Sequence, residues 1–286
     1  MGERLISLAT GWQLLQRRPN LRLAIVEKEN RVAAHQSSRN SGVIHSGIYY
    51  RPGSLRAQNC LKGYRQLVEF CQKHNIPFDI CGKLIVAVEE TERPQLEQIY
   101  RRGLANGLQG LRKLGPEETR SIEPHVQAAE AIWVPQAGIV NYKQLAEKYA
   151  ESIRQLGGEI NTGICIEGIN QSENAVRVSG PNWEAQAKIV VSCAGLYSDR
   201  LARLSGEAPG VQILPFRGEF YRLKPEREYL VRNLIYPVPN PAFPFLGVHF
   251  TRMIDGGIEA GPNAVLAFRR EGYSRWDVHA GELWET

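Results

Sequence analysis

Residues 21–29 read LRLAIVEKE, an apolar run that stops at the acid Glu27. Upstream, Leu5, Leu8, Ala9, Trp12 and Leu15 recur at helical spacing, and Pro19-Asn20 ends that helix. A helix followed by a short hydrophobic strand ending in a carboxylate is how a dinucleotide-binding βαβ unit offers an acid to a ribose. Such a unit also has a strand and a glycine loop ahead of its helix, whereas here the helical pattern starts almost at Met1. The bland alternative is a solvent-facing acid in EKEN, so the choice rests on what lies downstream.

Downstream, helical and strand patterns alternate. Helices are expected over about 54–73, 91–108 (with Pro94 near its first turn) and 141–158, the last stopped by Gly157-Gly158. Strands are expected at 82–88 (GKLIVAV) and 130–135, then as a pair in EINTGICIEGI and AVRVSG. The run AKIVVSCAG (187–195) is continuous enough to read as a buried strand. From 211 onward the pattern is β-rich and punctuated by proline. Nucleotide-type βα segments thus occur at 1–50 and at 138–207, with strand-rich sequence between and after them. This order predicts one α/β domain interrupted by insertions that build a second, mainly antiparallel domain.

Composition narrows the classes. The 286 residues, 43% of them hydrophobic, are enough for a full core. The net charge of +5 is spread along the chain without a dense basic block or interleaved aromatics, so nothing points to nucleic acid. No apolar stretch has the length of a membrane span, and the start lacks a signal-peptide layout. Five cysteines without a CxxC, none at ligand spacing from a histidine, suggest a reducing compartment, the cytoplasm, and no metal site.

Six segments then carry a resemblance: LRLAIVEKE, SSRNSGVIHSGIYY (37–50), VPQAGIVNYKQL (134–145), IVVSCAGLYSDRLA (189–202), FRGEFYRL (216–223) and GVHFTRMIDGGIEAGPNAVLAF (247–268). In this order they resemble the FAD-dependent oxidoreductases related to D-amino-acid oxidase, and most of all the L-2-hydroxyglutarate oxidase/dehydrogenase branch. The resemblance spans nearly the whole chain. It implies an interrupted FAD-binding Rossmann-like domain (1–76 and 138–207) and a mainly antiparallel β-sheet substrate domain (77–137 and 208–286). It also implies oxidation of L-2-hydroxyglutarate to 2-oxoglutarate with oxygen or a quinone as acceptor, and allows a peripheral contact with the inner face of a membrane. Alternatives are a related enzyme acting on glycerol 3-phosphate or an amino acid, and a non-catalytic fragment. The last is open because the family's GxGxxG positions fall here on Gly2, Arg4 and Ser7, the strand before them is absent, and the family continues past LWET. The expectation is a chain shortened at both ends that holds FAD poorly.

Site residues follow from the matched segments. Glu27, with Lys28 beside it, would accept ribose hydroxyls. Ser37, Ser38, Arg39, Asn40, Ser41 and Gly42 would satisfy phosphate and flavin acceptors without bulk. Ile166 resembles the family position whose backbone faces adenine, and Ala194 and Gly195 permit close approach of a nucleotide. Each has a structural alternative: a capping turn, a core side chain, tight strand–helix packing. Oxidation of a 2-hydroxy acid removes a hydride and a hydroxyl proton, and the protein supplies the base. His45 in GVIHSG resembles the family histidine beside the flavin, with His249 in GVHFTR as second candidate; His35, His74, His125 and His279 lack such context. A dicarboxylate needs cations, which points to Arg217 and Arg252, with Tyr49 and Tyr50 as hydroxyl donors. Pairing of either arginine with a local acid such as Glu219 is the alternative.

Overall fold

The computed structural model describes residues 5–240 and 247–284. Gly2 and Arg4 lie outside them, whereas Ser7 is buried in the first helix. Backbone proximity divides the chain into two units, one of residues 1–40, 142–217 and 266–286 and the other of residues 41–141 and 218–265. Residues 41–76 therefore fall in the second unit, although their sequence joins them to 138–207. The cause is local: Val43–Ile44 pairs antiparallel with Gly138–Val140, which pairs on its other edge with Phe78–Asp79.

In the first unit, helix Leu5–Arg17 buries Leu8 and Leu15, two turns apart on one face. It packs against helix Tyr142–Gln155, which buries Leu145, Ala146, Tyr149 and Ile153, and the Trp12 and Tyr149 ring centroids lie 5.4 Å apart. Strand Ala24–Val26 runs parallel to Glu159–Asn161, with Ile25 opposite Ile160. The two nucleotide-type segments thus share a sheet, as their patterns require. Gly168–Gln171, Val176–Gly180 and Trp183–Ala187 form a separate antiparallel sheet.

One strand expectation fails. Residues 188–194 take no regular structure, and Ile189 is 79% exposed. Residues 188–194 join no strand, so continuity of hydrophobic residues does not make this stretch a core strand.

In the second unit, one seven-stranded sheet has the order Phe216–Arg222, Ile258–Leu266, His249–Arg252, Leu234–Pro237, Lys83–Ala87, Glu130–Val134, Arg112–Leu114. Leu234–Pro237 runs parallel to Lys83–Ala87, while Lys83–Ala87 and Glu130–Val134 are antiparallel. Alternation sorts the side chains into two cores. Leu84 and Val86 pack with Ile235 and Ile258, and Ile85 and Ala87 pack with Ile132, Val134, Leu96 and Ile99. Leu96 and Ile99 come from helix Arg93–Ala105, which has Pro94 in its first turn. Helix Leu55–Lys73 begins where Ser54 Oγ accepts the Ala57 amide at 3.2 Å, an N-cap. Among the described residues no helix is long and apolar enough to cross a membrane.

Two glycines test this packing. A Cβ on Gly138 would lie 2.5 Å from the Asp79 carbonyl oxygen, in the neighbouring strand's backbone, which cannot swing aside. A Cβ on Gly63, inside helix Leu55–Lys73, meets nothing within 4 Å. Gly138→Ala is expected to destabilise the protein by ~1–3 kcal/mol through overpacking. Gly63→Ala is expected to stabilise it by ~0.5–1 kcal/mol by restricting the unfolded chain. Urea unfolding of both variants checks the opposite signs; a neutral Gly138→Ala would contradict the three-stranded pairing.

Candidate functional site

The first unit contains a cavity of about 340 Å³ at the C-terminal end of its parallel strand pair. Backbone hydrogen bonds carry the pairing beyond the regular strands and shape its wall: the Glu27 amide donates to the Asn161 carbonyl (2.9 Å) and the Ile164 amide to the Glu27 carbonyl (2.8 Å). Of the residues singled out by sequence, Glu27, Lys28, Ser37, Ile166 and Ala194 line the cavity. The Glu27 carboxylate is buried and accepts the Glu29 amide at 3.1 Å. Ser37 Oγ accepts the Leu5 amide, at the first turn of the first helix, at 2.9 Å. Val26, Ile164, Leu201 and Leu204 make the rest largely apolar.

The other members of the serine-rich loop do not line it. Ser38 Oγ donates to the His35 carbonyl, Asn40 Nδ2 donates to the carbonyls of Gln36 and Ser37, and the Arg39 guanidinium lies 3.9 Å from the Tyr273 ring centroid. Ser41 and Gly42 belong to the second unit. Gly195, with φ of +54°, supplies the left-handed turn after Ala194.

Among the cavity residues outside the sequence selection are His35, Tyr197, Arg200 and Glu271. Lys28 Nζ lies 2.5 Å from both Glu29 Oε1 and Glu271 Oε2, and His35 Nε2 lies 2.8 Å from Glu29 Oε1. Burial disfavours the Lys28 ammonium, but the two carboxylates outweigh it and raise its pKa. The hydrogen bonds from Lys28 and then His35 hold Glu29 down at about 2. The ligand atoms of Glu29, His35 and Glu271 lie within 4.8 Å of one another, a spacing that suits a metal ion. The ammonium of Lys28 already stands between the carboxylates, so the group is a salt-bridged cluster. No sequence pattern marks Glu271, because it comes from a segment far along the chain.

The same late segment is anchored by a buried ion pair. Arg270 and Asp199 meet through both guanidinium nitrogens, Nη2 at 2.8 Å from Oδ2, and both side chains are 2% exposed. Arg270 Nη1 also donates to the Leu196 carbonyl at 2.6 Å. These contacts fix the 194–199 turn that walls the cavity.

The second unit gathers the histidines. His45 is an exposed residue of the loop 45–50, which buried Asn106 pins by donating to the carbonyls of Gly47 (3.1 Å) and Tyr50 (2.9 Å). Desolvation by the surrounding protein, with the charges of Lys83 and His249, lowers the His45 pKa to about 4. His249 is buried; desolvation lowers its pKa despite a 3.1 Å contact between Nδ1 and the Gly247 carbonyl. Its ring stacks on Tyr236 with centroids 4.0 Å apart. The two expected substrate arginines are engaged elsewhere: Arg252 pairs with Asp79, and Arg217 Nη1 donates to the Ser274 carbonyl at 3.0 Å.

The chain resembles known proteins along its length. Residues 5–283 match the family described as FAD dependent oxidoreductase. An L-2-hydroxyglutarate dehydrogenase of Indibacter alkaliphilus is 51% identical over all of this chain, which spans 72% of that protein. The mitochondrial L-2-hydroxyglutarate dehydrogenase of Mus musculus is 47% identical, again over the whole chain, which spans 64% of it. Among solved structures, the L-α-glycerophosphate oxidase of Mycoplasma pneumoniae with FAD bound superposes with a TM-score of 0.85 at 28% identity, covering 97% of this chain and 74% of that one.

The Asp199–Arg270 pair generates a pH prediction. Hydrogen bonds from Arg270, above all, hold Asp199 at about 2, below its ordinary 3.8. A carboxylate with a lowered folded-state pKa contributes stability above its unfolded pKa and loses it as pH falls through the folded one. Asp199→Asn is therefore expected to cost about 3 kcal/mol at pH 7, by removing the bidentate carboxylate from buried Arg270. The gap between variant and wild type should narrow as pH falls from about 4 toward 2. Urea midpoints at neutral and acid pH measure both; equal stabilities at pH 7 would contradict the anchoring role.

Proposed function

We propose that this chain, which belongs to the FAD dependent oxidoreductase family, oxidises L-2-hydroxyglutarate to 2-oxoglutarate. The observation that carries this reading is 51% identity, across the whole chain, to a protein of that named activity. A glycerol 3-phosphate substrate has weaker support, 28% identity to a structure of an L-α-glycerophosphate oxidase.

The first-unit cavity fits the adenosine end of FAD. Its volume of about 340 Å³ suits a nucleoside better than the whole cofactor. Its buried acid Glu27 suits ribose hydroxyls, and its apolar wall of Val26, Ile164, Leu201 and Leu204 suits a flat base. Ser37 and the first helix N-terminus are the nearest donors for phosphate, since a helix start carries partial positive charge.

When bound, FAD supplies the acceptor for the hydride that leaves the carbinol carbon. The chain's own part is to hold the substrate and take the hydroxyl proton. His45 is the base: the residue is exposed and, with its pKa lowered to about 4, it is neutral at working pH. The dianionic substrate favours the imidazolium as it forms, raising that pKa toward the value efficient proton transfer needs. His249, the second candidate base, is buried and stacked on Tyr236, which supports His45 as the group that exchanges protons. Electrons then pass to oxygen or a quinone. All five cysteines are free, which agrees with a reducing, cytoplasmic setting.

Anaerobic mixing of the FAD-loaded protein with L-2-hydroxyglutarate tests the reading: the flavin absorbance should bleach. Bleaching by glycerol 3-phosphate or an amino acid, with L-2-hydroxyglutarate inert, would replace the substrate. His45→Ala should retain its flavin while turnover falls by ~10²–10⁴, the usual loss on removing a general base. On the acid side, the kcat/KM of the wild type should be lost as pH falls toward about 4, because His45 must be neutral to accept a proton. An unimpaired His45→Ala enzyme would move the role to another group.

A further inference from the structure

Lys83 is 1% exposed, on a central strand of the seven-stranded sheet, and it has no carboxylate partner among the described residues. Strand pairing explains its surroundings. Lys83 is opposite Leu234, and Tyr236 lies two residues further along the same face of the adjacent strand. His249 lies on the next strand, its ring stacked on Tyr236. From the loop 45–50, Tyr49 completes the enclosure: Lys83 Nζ sits 4.7 Å from the Tyr49 ring centroid and 4.6 Å from that of Tyr236. The other titratable groups facing the amine include His45, His249 and the Cys60 thiol, none of them a carboxylate. Two buried hydroxyls in this unit, those of Ser46 and Tyr49, have no hydrogen-bond partner among the described residues.

An ammonium inside a protein is normally matched by an anion, because desolvation is otherwise uncompensated. Two aromatic faces stabilise it in part but donate no charge. The sequence places a lysine here, at the head of the otherwise apolar strand KLIVA, where an apolar residue would pack. The missing anion is then one that arrives. We propose that Lys83 is a carboxylate-binding residue of the substrate site: its amine, with the Tyr49 hydroxyl, takes one carboxylate of the 2-hydroxy dicarboxylate, which enters past the exposed residue His45. This inference rests on the proposed function for the identity of the anion. It also explains how a dicarboxylate is gripped while Arg252 is paired with Asp79.

Burial lowers the pKa of the Lys83 amine to about 7, so the free protein carries the binding charge below that pH and loses it above. The kcat/KM for L-2-hydroxyglutarate should therefore fall about tenfold per unit as pH rises beyond 7. Lys83→Arg, always charged, should remove that limb. Lys83→Met should fold at least as stably as wild type, since apolar replacement of a buried ion is often neutral or better. Its KM should rise tenfold or more, with kcat falling far less. An unchanged KM, or a loss confined to kcat, would overturn the proposal, as would a Lys83→Arg enzyme that keeps the wild-type alkaline limb. Glutarate, which cannot be oxidised, separates this from failure of the functional reading: it should raise the melting temperature of wild type and not of Lys83→Met, whether or not turnover is seen. Equal shifts in both proteins, or none in wild type, would refute the carboxylate site.

Discussion

The parallel pairing of Ala24–Val26 with Glu159–Asn161 is the constraint on which the first unit depends. It joins two segments that are distant in sequence, and parallel strands require a crossover to meet. The helix before one strand and the helix before the other pack on each other above it, burying Leu8, Leu15, Leu145 and Ile153. Because amide–carbonyl bonds continue past the strands, from Glu27 to Asn161 and from Gly163 to Glu29, the two chains diverge only beyond the acid. The cavity opens at that divergence, with a buried carboxylate on one side and Ile164–Ile166 on the other. A shift of one residue in this register would turn Glu27 and the core side chains to opposite faces.

Charge is handled differently in the two units. Around the cavity every cation has its acid: Lys28 has Glu29 and Glu271, Arg270 has Asp199, and Arg200 has Glu282 at 2.9 Å. These pairs hold residues from the late 266–284 segment against the earlier ones, so the cavity wall is built by electrostatics as much as by packing. In the second unit the titratable nitrogens of His45, Lys83 and His249 cluster without a carboxylate among the described residues, and each is pushed toward its neutral form. A set of bases kept near neutral by burial is suited to receive a negatively charged molecule and a proton.

Much of this was legible in the sequence because it depends on periodicity. The helices at 5–17, 55–73 and 142–155 and the strand ending at Glu27 follow from spacing and from caps such as Ser54. Glu27, Lys28, Ser37, Ile166 and Ala194 meet at one cavity although they come from three segments. What pattern cannot convey is pairing and partner choice. The run at 189–194 reads as core, yet Ile189 is exposed because no described strand pairs with it. Arg252 reads as a free cation until Asp79 is seen beside it. His35 and Glu271 have no sequence context, since their roles arise from a contact with Lys28 that only the fold creates. Lys83 is hidden in the opposite way: a lysine in an apolar strand suggests an edge, and the sheet order makes it central.

The central claim is that the first-unit cavity is where the cofactor's adenosine end is held. A crystal structure of the protein grown with FAD tests it most directly. The expected result is the ribose within hydrogen-bonding distance of the Glu27 carboxylate and the adenine against Ile164 and Ile166. Adenosine bound elsewhere, with Glu27 in contact only with its own backbone, would contradict the claim.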